Sequence, residues 1–211
     1  MTFKTAARVI RRIHIVGGPG SGKTALAHKL GTCLGIPIYH LDQIAFEGPY
    51  FARRPLEARL TDVRRIAAQP AWITEGIFVG WTDELLYRAD IVVWLDAVTW
   101  SGAILRISLR TARWGLEEAK RQPGVRKFTR FRDYSRNLRL FIDVLTSSWR
   151  YYCTRVLDGP AIDPTESRLA TAQQLAPYWA KVVHCRSDHE LQVFMAGIVM
   201  EAQDGYTPQE I

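Results

Sequence analysis

The stretch "IHIVGGPGSGKTALAHKLGTCLGIP", Ile13 to Pro37, sets an apolar run against a helical pattern with four glycines and a proline between them. These are the residues least suited to the first turn of a helix, so their place there calls for a reason other than helix stability. Glycine admits backbone angles closed to other residues and lets the chain curl until successive N–H groups point inward. A helix starting near Gly22 adds its unpaired N-terminal N–H groups and the positive end of its dipole. Together they make a cradle for phosphate, and Gly18, Gly20, Ser21, Gly22, Lys23 and Thr24 are the residues expected to form it.

Gly17 to Thr24 fits the pattern GxxxxGK[ST], the P-loop, without exception. In this arrangement Lys23 brings a flexible ammonium to the β- and γ-phosphate oxygens, and Thr24 offers a hydroxyl to magnesium. Pro19 has no N–H to donate, so it shapes the loop and does not hold phosphate. The required context is present as well, an apolar strand before the motif and an amphipathic helix after it. ATP and Mg²⁺ are the cofactors this predicts.

Outward from the motif, strand-like runs alternate with helix-period segments. "RIHIVG" (Arg12 to Gly17) leads into a helix reaching Leu34, where Gly35 and Pro37 stop it. "PIYHLD" (Pro37 to Asp42) reads as the second strand, "QIAFEGPYFARRP" as a loop, and Pro55 to Ala68 as a helix. "AWITEG" (Ala71 to Gly76) and "DIVVWLD" (Asp90 to Asp96) read as the third and fourth strands, apolar at their centres as buried parallel strands are. A helix from about Thr99 to Glu118 follows, then a charged loop from Lys120 to Asp133. The next helix places Leu138, Phe141, Ile142, Leu145, Trp149 and Tyr152 on one face. "AKVVHCRS" (Ala180 to Ser187) makes a fifth strand, and a closing helix takes Asp188 as N-cap. Such alternation predicts a single three-layer α/β/α domain over 1–211 around a parallel sheet, with a basic helical lid at about 114–160.

The 211 residues suffice for one sizeable core, and 47% hydrophobic with 23% charged residues is an ordinary globular composition. No apolar run is long enough to cross a membrane, and the basic N-terminus lacks a leader's cleavage pattern, so a cytoplasmic protein is expected. Cys33, Cys153 and Cys185 have no metal-ligand spacing and read as reduced thiols. The net charge of +7 is concentrated: Arg106 to Arg155 holds thirteen Lys and Arg against four Asp and Glu. Its partner is a polyanionic substrate, a nucleic acid or water.

With the P-loop, "IPIYHLD", "WITEG" and "VVWLD" in place, the chain resembles the adenylate-kinase-like branch of P-loop kinases, with shikimate and gluconate kinases nearby. It is most similar to the topology modulation proteins, over roughly Arg12 to Arg113 and again in the last strand and helix. The resemblance implies the strand order 2-3-1-4-5 and a phosphate at the carboxyl ends of the strands. It implies that Asp42 lies beside the acceptor hydroxyl, that Glu75 helps hold magnesium, and that Arg106 and Arg110 are the paired arginines after the fourth strand. One departure stands out. Ile77-Phe78-Val79 follows Glu75-Gly76 where adenylate kinases have Phe-Pro-Arg, so an arginine used there for a nucleoside monophosphate is missing.

The residues themselves point the same way. A carboxylate at the end of an apolar strand, as at Asp42 and Glu75, is costly unless ions surround it. Arg106, Arg110 and Arg113 share one helical face, and arginine suits phosphate oxygens. With Arg126, Lys127, Arg130 and Arg132 they are candidates to close over a triphosphate. Arg53, Arg54 and Arg59 suggest an anionic acceptor. Asp96 reads as a helix cap, His40 as a packed histidine, and Trp72, Trp94, Trp149 and Trp179 as core. The expected function is an ATP-dependent phosphotransferase on a small, nucleotide-like or other anionic molecule. The alternative is a nucleotide-dependent nucleic-acid-binding regulator, suggested by basic residues interleaved with Phe128, Phe131 and Tyr134.

Overall fold

A computed structural model of the protein describes residues 10–48, 52–121, 141–155 and 165–204. Five strands make one parallel sheet: Arg12–Gly17 (β1), Ile38–His40 (β2), Trp72–Gly76 (β5), Ile91–Leu95 (β6) and Val182–Cys185 (β7). Their order is β2-β5-β1-β6-β7, which is 2-3-1-4-5 when only these five are counted. The strands β3 (Phe46–Glu47) and β4 (Ala52–Arg53) form a small antiparallel pair outside it.

Two apolar clusters sandwich the sheet, as strict alternation along buried strands requires. On one face Ile13, Ile15, Ile73, Val93 and Leu95 pack under Lys23–Leu34 (α1) and Asp188–Asp204 (α8). On the other, Val16, Trp72, Val92 and Trp94 pack with Leu41–Ala45 (α2), Leu56–Ala67 (α3), Asp83–Arg88 (α4) and Arg168–Leu175 (α7). Between α4 and α7 in sequence come Trp100–Arg121 (α5) and a helix over 141–153 (α6).

Several local expectations change. In the described part of the segment after β2, the chain turns directly into α2 and then into the β3–β4 pair, so Asp42 lies in the first turn of α2, two residues beyond the strand; residues 49–51 lie outside the described residues. Helix α6 buries Ser148 and Tyr151, whereas Ile142 and Trp149 stand about half exposed. Its inward face is thus rotated from the apolar stripe toward Ser148 and Tyr151. Trp72 and Trp94 are core, but Trp149 and Trp179 are 52% and 50% exposed. Helix α8 is capped by Ser187, whose Oγ accepts from the Glu190 N–H at 3.1 Å, and not by Asp188. The expected loop begins later than Lys120, since α5 runs to Arg121; residues 122–140, with Arg126, Lys127, Arg130 and Arg132, lie outside the described residues.

Among the described residues the core carries an acid-sensitive histidine. His14 is buried with Nδ1 2.8 Å from the Thr74 hydroxyl, and burial pushes its pKa down to about 4 from an ordinary 6.5. The unfolded chain therefore takes up this proton first as pH falls. His14's contribution is complete above pH 6.5 and is lost as pH drops toward 4, roughly 3 kcal/mol in all. Urea unfolding at pH 7, 5.5 and 4.5 should show that decline, with the His14 ring still neutral at pH 5.5 by NMR. A ring already protonated at pH 5.5 would contradict it.

Candidate active site

Parallel strands bring all their carboxyl ends to one edge, and the register there sets His40 beside Glu75 and Glu75 beside Ile15, one strand position before the loop region. Gly17 pairs with Leu95 on the other side. The glycine-rich turn thus emerges from the middle strand with β5 on one flank and β6 on the other, which is the crevice where open α/β sheets bind ligands.

The turn is built as its sequence predicts. Gly22, at φ 94°, sits at the N-cap of α1 with no side-chain cap, and Leu26 N–H returns to its carbonyl. Ser21 N–H closes on Gly18 O at 3.2 Å. The N–H groups of Gly20, Gly22, Lys23 and Thr24 have no acceptor among the described residues. Gly20 combines φ 73° with a close approach: a Cβ there would lie 3.0 Å from the Ala103 carbonyl of α5. Only glycine lets α5 pack this near.

Lys23 is half-buried and its Nζ donates to Gly18 O at 2.9 Å. Burial lowers its pKa, while the charges of Glu75 and Asp42 pull it back up and Arg110 opposes them. Glu75, Asp42 and Arg110 are thus the charged groups whose fields reach Lys23. Glu75 is buried, and its Oε1 accepts from Thr24 Oγ1 at 3.1 Å and faces His40 Nδ1 at 2.8 Å. Asp42 remains open to solvent in the cleft, yet crowding by the protein raises its pKa, and Glu75 raises it further. Arg106, Arg110 and Arg113, all exposed, line a groove of about 420 Å³ along α5.

His40 was the residue sequence reasoning undervalued. Its register partner across the sheet is Glu75, a pairing that residues near His40 in sequence do not announce. Tyr152 was missed in a different way. Its hydroxyl donates to Pro19 O at 3.0 Å across 133 residues of sequence, and nothing local announces that.

Other candidates serve the fold. Arg54 pairs with Asp62 at 2.8 Å and donates to Ile44 O at 3.0 Å. Arg59 is buried over the Trp81 ring, 5.1 Å from its centroid, with Nε on Arg54 O. Arg53 bonds Glu166 at 3.2 Å. In the ligand-free chain, then, Arg53, Arg54 and Arg59 each have a partner within the fold. Asp96 does not cap α5; its carboxylate holds Arg168 Nε at 2.6 Å and His184 Nε2 at 2.9 Å, and that ring stacks on Trp94.

The chain has a three-layer α/β fold, a five-stranded parallel sheet with helices on both faces. No known protein family matches it in sequence, and no curated protein does. Among solved structures it is similar to a gluconokinase from Sinorhizobium meliloti 1021, at 12% identity, covering 97% of this chain and 100% of that one, with TM-score 0.43. It is similar to a shikimate kinase from Acinetobacter baumannii in complex with shikimate, at 18% identity, 82% and 95% coverage and TM-score 0.37. A further likeness is to an uncharacterized protein from Eubacterium ventriosum, at 13% identity, 92% and 98% coverage and TM-score 0.42. Among the described residues no helix is long and apolar enough to cross a membrane.

Proposed function

We propose that the protein is an ATP-dependent phosphotransferase acting on a small molecule, of the adenylate-kinase-like type that includes the topology modulation proteins. The observation that carries this reading is that Lys23 folds back on the glycine-rich turn and Thr24 meets the buried Glu75, beside the unpaired N–H groups of the loop. Phosphoryl transfer asks the protein mainly for positioning and for positive charge around the moving group. The loop N–H groups and Lys23 hold the donor phosphates. Arg106 and Arg110 approach from α5, and Asp42 orients the acceptor hydroxyl and takes its proton.

The residues present fit magnesium. Thr24 Oγ1 and Glu75 Oε1 stand 3.1 Å apart, one hydroxyl and one buried carboxylate, both hard oxygen donors. Among the described residues no group of three or more His, Cys, Asp or Glu could hold an ion by itself. Magnesium is typically held by one or two protein oxygens and completed by phosphates and water. Bound there, the ion would neutralise charge on the β- and γ-phosphates.

Nucleoside monophosphates, sugars and hydroxy acids should be screened for acceptor-dependent ADP formation by the purified protein. At least one is expected to stimulate turnover, and Glu75→Gln should raise the magnesium concentration for half-maximal rate by roughly tenfold. A chain that binds neither ATP nor ADP would end this reading.

A further inference from the structure

Helix α6 comes more than a hundred residues after the glycine-rich turn, yet its last turn lies on it. The Tyr152 hydroxyl donates to the Pro19 carbonyl at 3.0 Å. A Cβ on Gly18 would lie 2.5 Å from both the Tyr151 ring and the Tyr152 hydroxyl. Gly18 is therefore glycine for a reason the phosphate motif alone does not supply: the tyrosine pair occupies the place its side chain would fill.

This end of α6 is anchored on its other side too. Tyr151 is fully buried, its ring edge-on to Tyr152 at 5.1 Å, and its hydroxyl is 3.4 Å from Thr171 of α7. Burial pushes the Tyr151 pKa up to about 12, and the Tyr152 hydroxyl is raised as well, chiefly by burial. Both therefore stay protonated near neutrality, and Tyr152 keeps its donor. Nearby, α7 is tied to the sheet through Arg168 and Asp96.

The consequence lies in one peptide unit. A peptide is planar, and in the trans form its C=O and N–H point in opposite directions. Tyr152 holds the carbonyl of the Pro19–Gly20 unit, so it also sets the direction of the Gly20 N–H, which has no acceptor among the described residues. Pro19 itself offers no N–H. This makes the Gly20 donor the first that the loop can present after Gly18.

We propose that Tyr152 is a positioning residue for the donor phosphates: by holding the Pro19 carbonyl it turns the Gly20 N–H into the phosphate cradle. The inference rests on the phosphate-binding reading of the loop. Preorganised donors bind an anion without reorganising first, which is where this affinity originates. Helix α6 is thus part of the donor site through its contacts with Gly18 and Pro19.

Calorimetric binding of ATP, ADP and inorganic tripolyphosphate to the full chain and to Tyr152→Phe and Tyr151→Phe tests this without any turnover. Tyr152→Phe keeps the ring and removes only the hydroxyl. It should weaken all three ligands by roughly tenfold, tripolyphosphate included because it has neither base nor ribose. Tyr151→Phe should bind within about twofold of the unaltered chain, and the ligand-free thermal midpoint of Tyr152→Phe should move by no more than about 4 °C. Equal affinities in the Tyr152→Phe variant would overturn the proposal. So would the same loss in Tyr151→Phe, or a collapse of the thermal midpoint, since either would make α6 mere packing. If the unaltered chain binds none of the three ligands, the phosphate-binding reading itself fails, and this inference fails with it.

Discussion

Lys23→Ala is expected to lower the rate of phosphoryl transfer at least a thousandfold or so and to weaken ATP and ADP binding strongly, with the fold intact. Lys23 is the first residue of α1 and its ammonium reaches back to the Gly18 carbonyl. In the ligand-free chain that bond is its one hydrogen bond among the described residues, so little is lost from the folded state when it goes. Alanine is also a good helix former at that position. Burial already lowers the lysine pKa, and the nearby Glu75 and Asp42 charges favour the ammonium. Bound phosphate supplies further negative charge at the same place, which is why the effect falls on binding and transfer and not on folding. Circular dichroism and thermal unfolding should match the unaltered chain while nucleotide affinity falls. Unchanged affinity in this variant would sink the assignment.

Asp42→Asn is expected to lower kcat by roughly 10²–10⁴ while leaving the KM for ATP nearly unchanged. The substitution keeps shape and removes the charge that, in the proposed function, accepts a proton from the acceptor hydroxyl. Crowding and the neighbouring Glu75 hold the Asp42 pKa above its ordinary 3.8, which makes the carboxylate a better base. The active form is the ionised one, so in the free protein activity should be lost as pH falls through that raised value, on a limb above the usual carboxylate range. A variant with full kcat would show that Asp42 only borders the acceptor. A variant with a large rise in ATP KM instead would move Asp42 into the donor site.

Much of the sheet was legible because its signals are local. Buried parallel strands read as short apolar runs, and "WITEG" and "IVVWL" are strands to within a residue of that reading. The boundaries that slipped did so where a neighbouring element took over. "PIYHLD" ended early because Leu41 and Ile44 are buried in the core as part of a short helix, a choice made by tertiary packing over strand propensity. The stripe on α6 misled for a similar reason. Periodicity says which residues share a face, but not which face the rest of the molecule covers.

The candidate site divides in the same way. Lys23, Thr24 and the glycines lie within eight consecutive positions, so their chemistry is written in the chain itself. Arg54 and Arg59 looked equally functional in sequence, yet Asp62, the Ile44 carbonyl and Trp81 use them for the fold. Whether a charge is available to a ligand depends on what else reaches it, and that is a property of three dimensions. His40 moved in the opposite direction, from packing candidate to partner of Glu75.

By itself, then, the order of residues determined the glycine-rich turn, the parallel sheet and the strand end at which Glu75 stands, because each depends on backbone geometry and on patterns a few residues long. Tertiary structure alone decided three things: that Glu75 meets both Thr24 and His40, that the arginines after β2 are engaged within the fold, and that Tyr152 holds Pro19. The physical reason is range. Hydrogen bonds and ion pairs act over about 3–4 Å, and which distant residues come that close is settled only when the whole chain has packed.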